Sequence, residues 1–152
     1  MKEPVKIVLT AFFCLAVTMT AVNAASAGAG GAKAPMTKTP DQLKWAPIPD
    51  GNGAMTALAW GDPNGAHGAF NKFPAGFVAP LHTHSADLHI VVLSGTMSMA
   101  GADGKETELP AGSVFYQPNT YKHVTRCKEG SECLAYITLN GKFDLKLVNA
   151  KK

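Results

Sequence analysis

Charge is scarce in this chain: Asp, Glu, Lys and Arg make up 16% of its 152 residues. The basic residues are nowhere massed into a dense cluster with aromatic residues between them, so the electrostatic footprint of a nucleic-acid binder is missing. No convincing amphipathic helical period appears, which argues against a helical bundle. No segment recurs at the roughly 20 to 50 residue spacing of solenoids. Cysteine is rare, three in all, and no C-x-x-C pair is present to suggest a redox motif. The apolar run near the start, about Ile7 to Val22, falls short of the roughly 20 residues of a comfortable membrane span.

That run has another reading. Lys2 and Lys6 precede it, and Val22 and Ala24 occupy the small-residue positions before a cut expected between Ala24 and Ala25, the pattern of a cleavable secretory signal over residues 1–24. Its loss removes Lys2, Lys6 and Glu3 and takes the formal charge from +3 to +2, and Cys14 leaves with it. The expectation is a periplasmic or secreted protein with no stable membrane insertion after cleavage. Residues 25–40, which include the stretch SAGAGGAKAP, are small and flexible and read as a linker, leaving one domain over 41–152. Cys127 and Cys133 flank KEGSE. In an exported chain they suggest a disulfide closing a hairpin, with two free thiols, or Cys127 turned toward a metal, as the alternatives.

From Asp41 onward, turn signals at 49–53, 61–65, 101–105 and 128–132 separate short apolar or alternating runs. Strands are expected over 55–60, 68–73, 77–84, 89–93, 96–100, 105–109, 113–117, 122–127, 134–139 and 143–148. Many short antiparallel strands in one domain predict an all-β sandwich or barrel, for which a double-sheet jelly roll is one solution.

The histidines are unevenly spread. His82, His84 and His89 fall within GFVAPLHTHSADLHIVVLSG, and His123 follows in PNTYKHVTRC. An H-x-H pair on a strand points both rings to one face, and neutral imidazole is a common ligand for first-row transition metals. Two imidazoles on one buried face are a costly way to fill a core without a cation to organise them. His67, alone in PNGAHGAF, reads as an ordinary core or surface residue.

These two stretches resemble the motifs of the cupin superfamily. Gly76, His82, His84 and Gly95 fit the first motif, and Gly112, Pro118 and His123 fit the second. The resemblance covers roughly 44–148 and implies a single jelly-roll barrel with a metal in its mouth. The chain departs from the motifs where they carry glutamate: it has Leu88 or His89 there, depending on the count from His84. Asn119 and Thr120 stand where the second motif prefers a glycine, and Cys127 replaces an asparagine. H-x-H-S-A-D-L-H with the late F-D-L is similar to short exported cupins of unassigned activity. W-x-P-x-P from Trp45 to Pro49 is similar to three-histidine cupins of the acetylacetone-cleaving dioxygenase type.

The resemblance implies His82, His84 and His123 as metal ligands. His89 is either a fourth or an outlying hydrogen-bond partner. Asp87 is a candidate base or a group orienting His89, with an exposed loop aspartate as the alternative. Tyr116 is a candidate near the ion, and with Phe115 and Tyr121 a candidate barrel-lining residue. One divalent ion, iron, manganese, zinc or nickel, is expected. Two functions compete. One is a dioxygenase-type enzyme acting on a small oxygenated organic compound; the other is a metal or small-ligand binding module without catalysis. An isomerase using a Lewis-acidic ion ranks below both. Exposed sheet edges suggest a homodimer.

Overall fold

The alternation of buried and exposed residues along the chain builds two antiparallel sheets facing each other. The structure is a computed structural model and describes residues 34–148; the signal segment and most of the linker read from the sequence lie outside these. Eleven strands run in the order β1 (Trp45–Pro47), β2 (Met55–Gly61), β3 (His67–Phe73), β4 (His82–Thr83), β5 (Leu88–Ser94), β6 (Thr96–Gly101), β7 (Glu106–Pro110), β8 (Val114–Gln117), β9 (His123–Cys127), β10 (Cys133–Leu139) and β11 (Lys146–Leu147). One sheet has the order β1-β2-β3-β10-β5-β8 and the other β11-β4-β9-β6-β7. This is the expected all-β jelly-roll barrel. Its one helical element among the described residues is a 3-10 turn at Pro40–Gln42, and no helix among them is long and apolar enough to cross a membrane.

Strand β10 shows how the sequence makes the wall. Cys133, Ala135, Ile137 and Leu139 alternate with less buried neighbours, and Leu88, Ile90 and Val92 do the same on the adjacent β5. The inner face is lean. Among the described residues, seven of the seventeen buried hydrophobic residues are alanine, so the sheets meet without filling the space between them.

Two expected strands are shorter than the sequence suggests. The run 77–84 yields only β4, because Pro80 has no N–H to give to a ladder; Ala79 and Cys127 still bond across to Thr125 and Phe77. Of 143–148 only Lys146–Leu147 pairs, with His82 and Thr83.

Cys127 and Cys133 are joined in a disulfide, and both are buried. It does not close a hairpin. Strand β9 pairs with β4 and β6, whereas β10 pairs with β3 and β5, so the bridge ties one sheet to the other. The chain crosses between sheets at KEGSE, where the sequence shows only a turn. Gly95 has φ +74°, and a Cβ there would meet Cys133 Sγ at 2.9 Å, so this motif glycine is required beside the bridge.

Candidate metal centre

His123 begins β9 and stands opposite His82 of β4 across the ladder, while His84 follows β4 by one residue. Period-two alternation turns His82 and His84 to the same inner face. Their exposures are 3%, 5% and 1% for His82, His84 and His123, and their nearest ligand nitrogens lie within 4.8 Å of one another.

Each ring is fixed by a backbone carbonyl. His82 Nδ1 lies 2.7 Å from Pro80 O, His84 Nδ1 2.5 Å from Asp144 O and His123 Nδ1 2.9 Å from Tyr121 O. A carbonyl can only accept, so Nδ1 carries the proton in all three and the lone pair sits on Nε2. Burial holds His82 and His84 below the ordinary 6.5 and pushes His123 down to about 4; neighbouring imidazoles add to the shift at His82 and His123, whereas Asp144 opposes it at His84. Three neutral imidazoles with oriented Nε2 lone pairs form a donor set that fits a divalent transition ion. The trio could hold one.

The C-terminal segment supplies the support that His84 needs. Besides its carbonyl, Asp144 accepts from Ser85 N and Ser85 Oγ at 2.7 Å each, and Lys146 pairs with its carboxylate at 3.4 Å. Despite partial burial, these partners hold the Asp144 carboxyl below its usual range. Phe143 packs on the His84 ring with centroids 5.2 Å apart. The late F-D-L is thus a strap across the barrel mouth.

His89 is not in the cluster. Strand alternation on β5 buries Leu88 and turns His89 outward, where its ring stacks 4.8 Å from Tyr116. The three-residue count from His84 fits, and Leu88 brings no donor. Tyr116 is 55% exposed on the same outer face and stands away from the trio. Tyr121 is exposed as well, stacked beside His123, and Phe115 packs partly buried against the core. Asp87 does not line the cavity. Its carboxylate accepts from Asn119 N at 2.7 Å and Asn140 Nδ2 at 2.9 Å, so it ties together the loops around the mouth and neither orients His89 nor faces the trio. His67 is buried and bonds Gly65 O.

Thr120 explains a departure from the motif. It adopts φ +61°, a left-handed conformation costly for a β-branched residue, at the place where a glycine is preferred. Its N–H donates to His84 O at 2.9 Å, so this turn joins the β9 ligand to the H-x-H segment.

The trio opens into a cavity of about 60 Å³ between the sheets, walled chiefly by apolar side chains such as Phe73, Phe77, Ile90, Met97 and Ile137. Two lining residues were not signalled by the sequence: Asn71 on β3 and Gln117 on β8, 4% and 2% exposed. Gln117 sits in YQPNT beside the second motif, which is the one clue to it. No Asp, Glu, Lys or Tyr lines this cavity among the described residues.

Among solved structures, the chain is similar to the polyketide cyclase RemF from Streptomyces resistomycificus, at 15% identity and TM-score 0.68, covering 78% of this chain and 89% of that one. An RmlC-like cupin from Ralstonia eutropha gives 22% identity, TM-score 0.59 and 74% of each chain. The DMSP lyase DddQ from Ruegeria pomeroyi gives 17% identity, TM-score 0.59, 70% of this chain and 61% of that one. No curated protein matches the sequence. The barrel has the fold of these cupin structures, and with residues 37–149 matching the family described as "Domain of unknown function (DUF4437)", the chain belongs to that family.

Proposed function

We propose that this chain is an exported metal-dependent enzyme of dioxygenase type, acting on a small oxygenated organic compound. The observation that carries this reading is the convergence of three neutral imidazoles, each oriented by a backbone carbonyl, on the end of an apolar cavity. A divalent ion held by His82, His84 and His123 would keep its full +2 charge on these neutral ligands and would stabilise an enolate, and iron or manganese there would supply redox chemistry with dioxygen. Addition of both oxygen atoms across a carbon–carbon bond of an enolised dicarbonyl yields a carboxylic acid and a carbonyl fragment. Dioxygen is the oxidant, and no external reductant is needed. The chain's own part is to hold the ion, exclude water with apolar walls and keep all three rings deprotonated at Nε2.

The bare walls support oxygen chemistry over isomerisation, which needs a base beside the substrate. Export rests on the signal-like start and the disulfide. We extend the proposal to a homodimer covering exposed sheet surface such as Trp60 and Leu93. The small cavity favours one alternative, a module that binds a metal or small ligand without turnover. Oxygen-electrode assays of iron-loaded protein with small dicarbonyls and phenols separate the two. Metal-dependent uptake supports the enzyme; binding without uptake across the panel supports the module.

A further inference from the structure

The cavity is apolar except for the histidines and a few polar lining groups. Two of these, Asn71 and Gln117, are buried amides, each with an atom that finds no partner: Asn71 Oδ1, an acceptor, and Gln117 Nε2, a donor. A buried polar atom without a partner is destabilising, and an apolar side chain of similar shape at either position would remove that penalty. The register places the two amides at different depths of one wall. Gln117 stands opposite Leu88, itself opposite Leu139, in the row next to the turn that delivers His123. Asn71 stands opposite Ala135, two residues from the bridged Cys133 and four residues along β10 from Leu139 in the Gln117 row.

We propose that Asn71 and Gln117 form a ligand-reading pair. Gln117 Nε2 donates to a carbonyl-type oxygen held near the histidines, and Asn71 Oδ1 accepts from a hydroxyl or amine farther in. The walls between them, Ile90 and Ile137 among others, take a short apolar link. The open volume, about 60 Å³, holds roughly four waters, so the ligand is a compound of about that many non-hydrogen atoms or slightly more, with an acceptor at one end and a donor at the other. This deepens the proposed function by naming the substrate class, and it rests on that reading only for what happens to the ligand once bound.

The test uses hydroxyacetone as probe. Two analogues of the same shape accompany it: butanone, which has a methyl for the hydroxyl, and 2-methylallyl alcohol, which has a methylene for the carbonyl oxygen. Binding is followed by NMR titration of metal-loaded protein, with metal content measured on the same samples. Wild type is expected to prefer hydroxyacetone to either analogue by about tenfold, the cost of one unmade buried hydrogen bond. Gln117→Leu should erase the preference over 2-methylallyl alcohol alone, and Asn71→Leu the preference over butanone alone. Both variants should keep their metal and melt at or above the wild-type temperature. Equal binding of all three probes by wild type, or unchanged preferences in the variants, overturns the pair. Loss of metal in Gln117→Leu overturns it too, because the amide then serves the ion. A variant that unfolds shows its amide to be a structural partner of the barrel and likewise overturns the pair. Failure of the metal reading shows separately, as wild type that takes up no ion.

Discussion

Acidification of the metal-free protein should weaken the fold through the same burial that prepares the site. His123 is neutral in the native state and its folded value is depressed to about 4 from an ordinary 6.5. The stability it contributes is therefore fully present above 6.5 and is lost as pH falls through 4, because the unfolded chain takes up the proton first. The full difference corresponds to about 3 kcal/mol, of which about 1.4 kcal/mol is lost by pH 5.5 and about 2.5 kcal/mol by pH 4.5. His82 and His84 are shifted in the same direction and add to the loss. Urea unfolding of chelator-treated wild type and His123→Asn at pH 7.5, 5.5 and 4.5 isolates the contribution. The variant should lose markedly less stability than wild type over this range. Equal losses in the two proteins would show that His123 titrates as an ordinary exposed imidazole, and the reasoning from burial would fail.

Three other perturbations have defined outcomes. Thr120→Gly relieves a left-handed β-branched residue and should stabilise the protein by about 1 kcal/mol in urea unfolding, without loss of metal; destabilisation would show that the threonine side chain is needed. Replacing Cys127 and Cys133 together by alanine opens a loop with a sequence separation of 6 and should cost about 2 kcal/mol or more while leaving the protein folded; an unchanged denaturation midpoint would show that the inter-sheet bridge adds nothing. Asp144→Ala removes the side-chain bonds that fix the strap against Ser85 and Lys146, and should weaken metal affinity about tenfold in chelator competition. Unchanged affinity would mean that the Asp144 carbonyl holds His84 without that help.

The sequence announced the barrel because turn chemistry and alternation are local signals, and strands such as 55–60, 96–100 and 134–139 follow them closely. The trio was legible for the same reason: H-x-H fixes two rings on one face, and the second motif supplies the third. What was not legible depends on contacts between segments far apart in the chain. Whether Leu88 or His89 turns inward is decided by the pairing of β5 with β8 and β10, which the count from His84 left open. The disulfide looks like a hairpin staple in the sequence because KEGSE reads as a turn, yet the chain changes sheets there. Asp144 is 60 residues from His84, and its part is played by a main-chain carbonyl that carries no residue signature. Asn71 and Gln117 look like ordinary strand residues until the fold shows which way they face.

One transition-metal ion per chain on His82, His84 and His123 is the occupancy expected of this site. The most direct test is elemental analysis of untagged protein purified from its native host, before and after dialysis against a mild chelator, for wild type, His82→Ala, His123→Ala and His89→Ala. About one ion per chain in wild type and His89→Ala, with loss in the other two variants, is the expected result. Full metal content in His82→Ala and His123→Ala, or none in wild type, would contradict it.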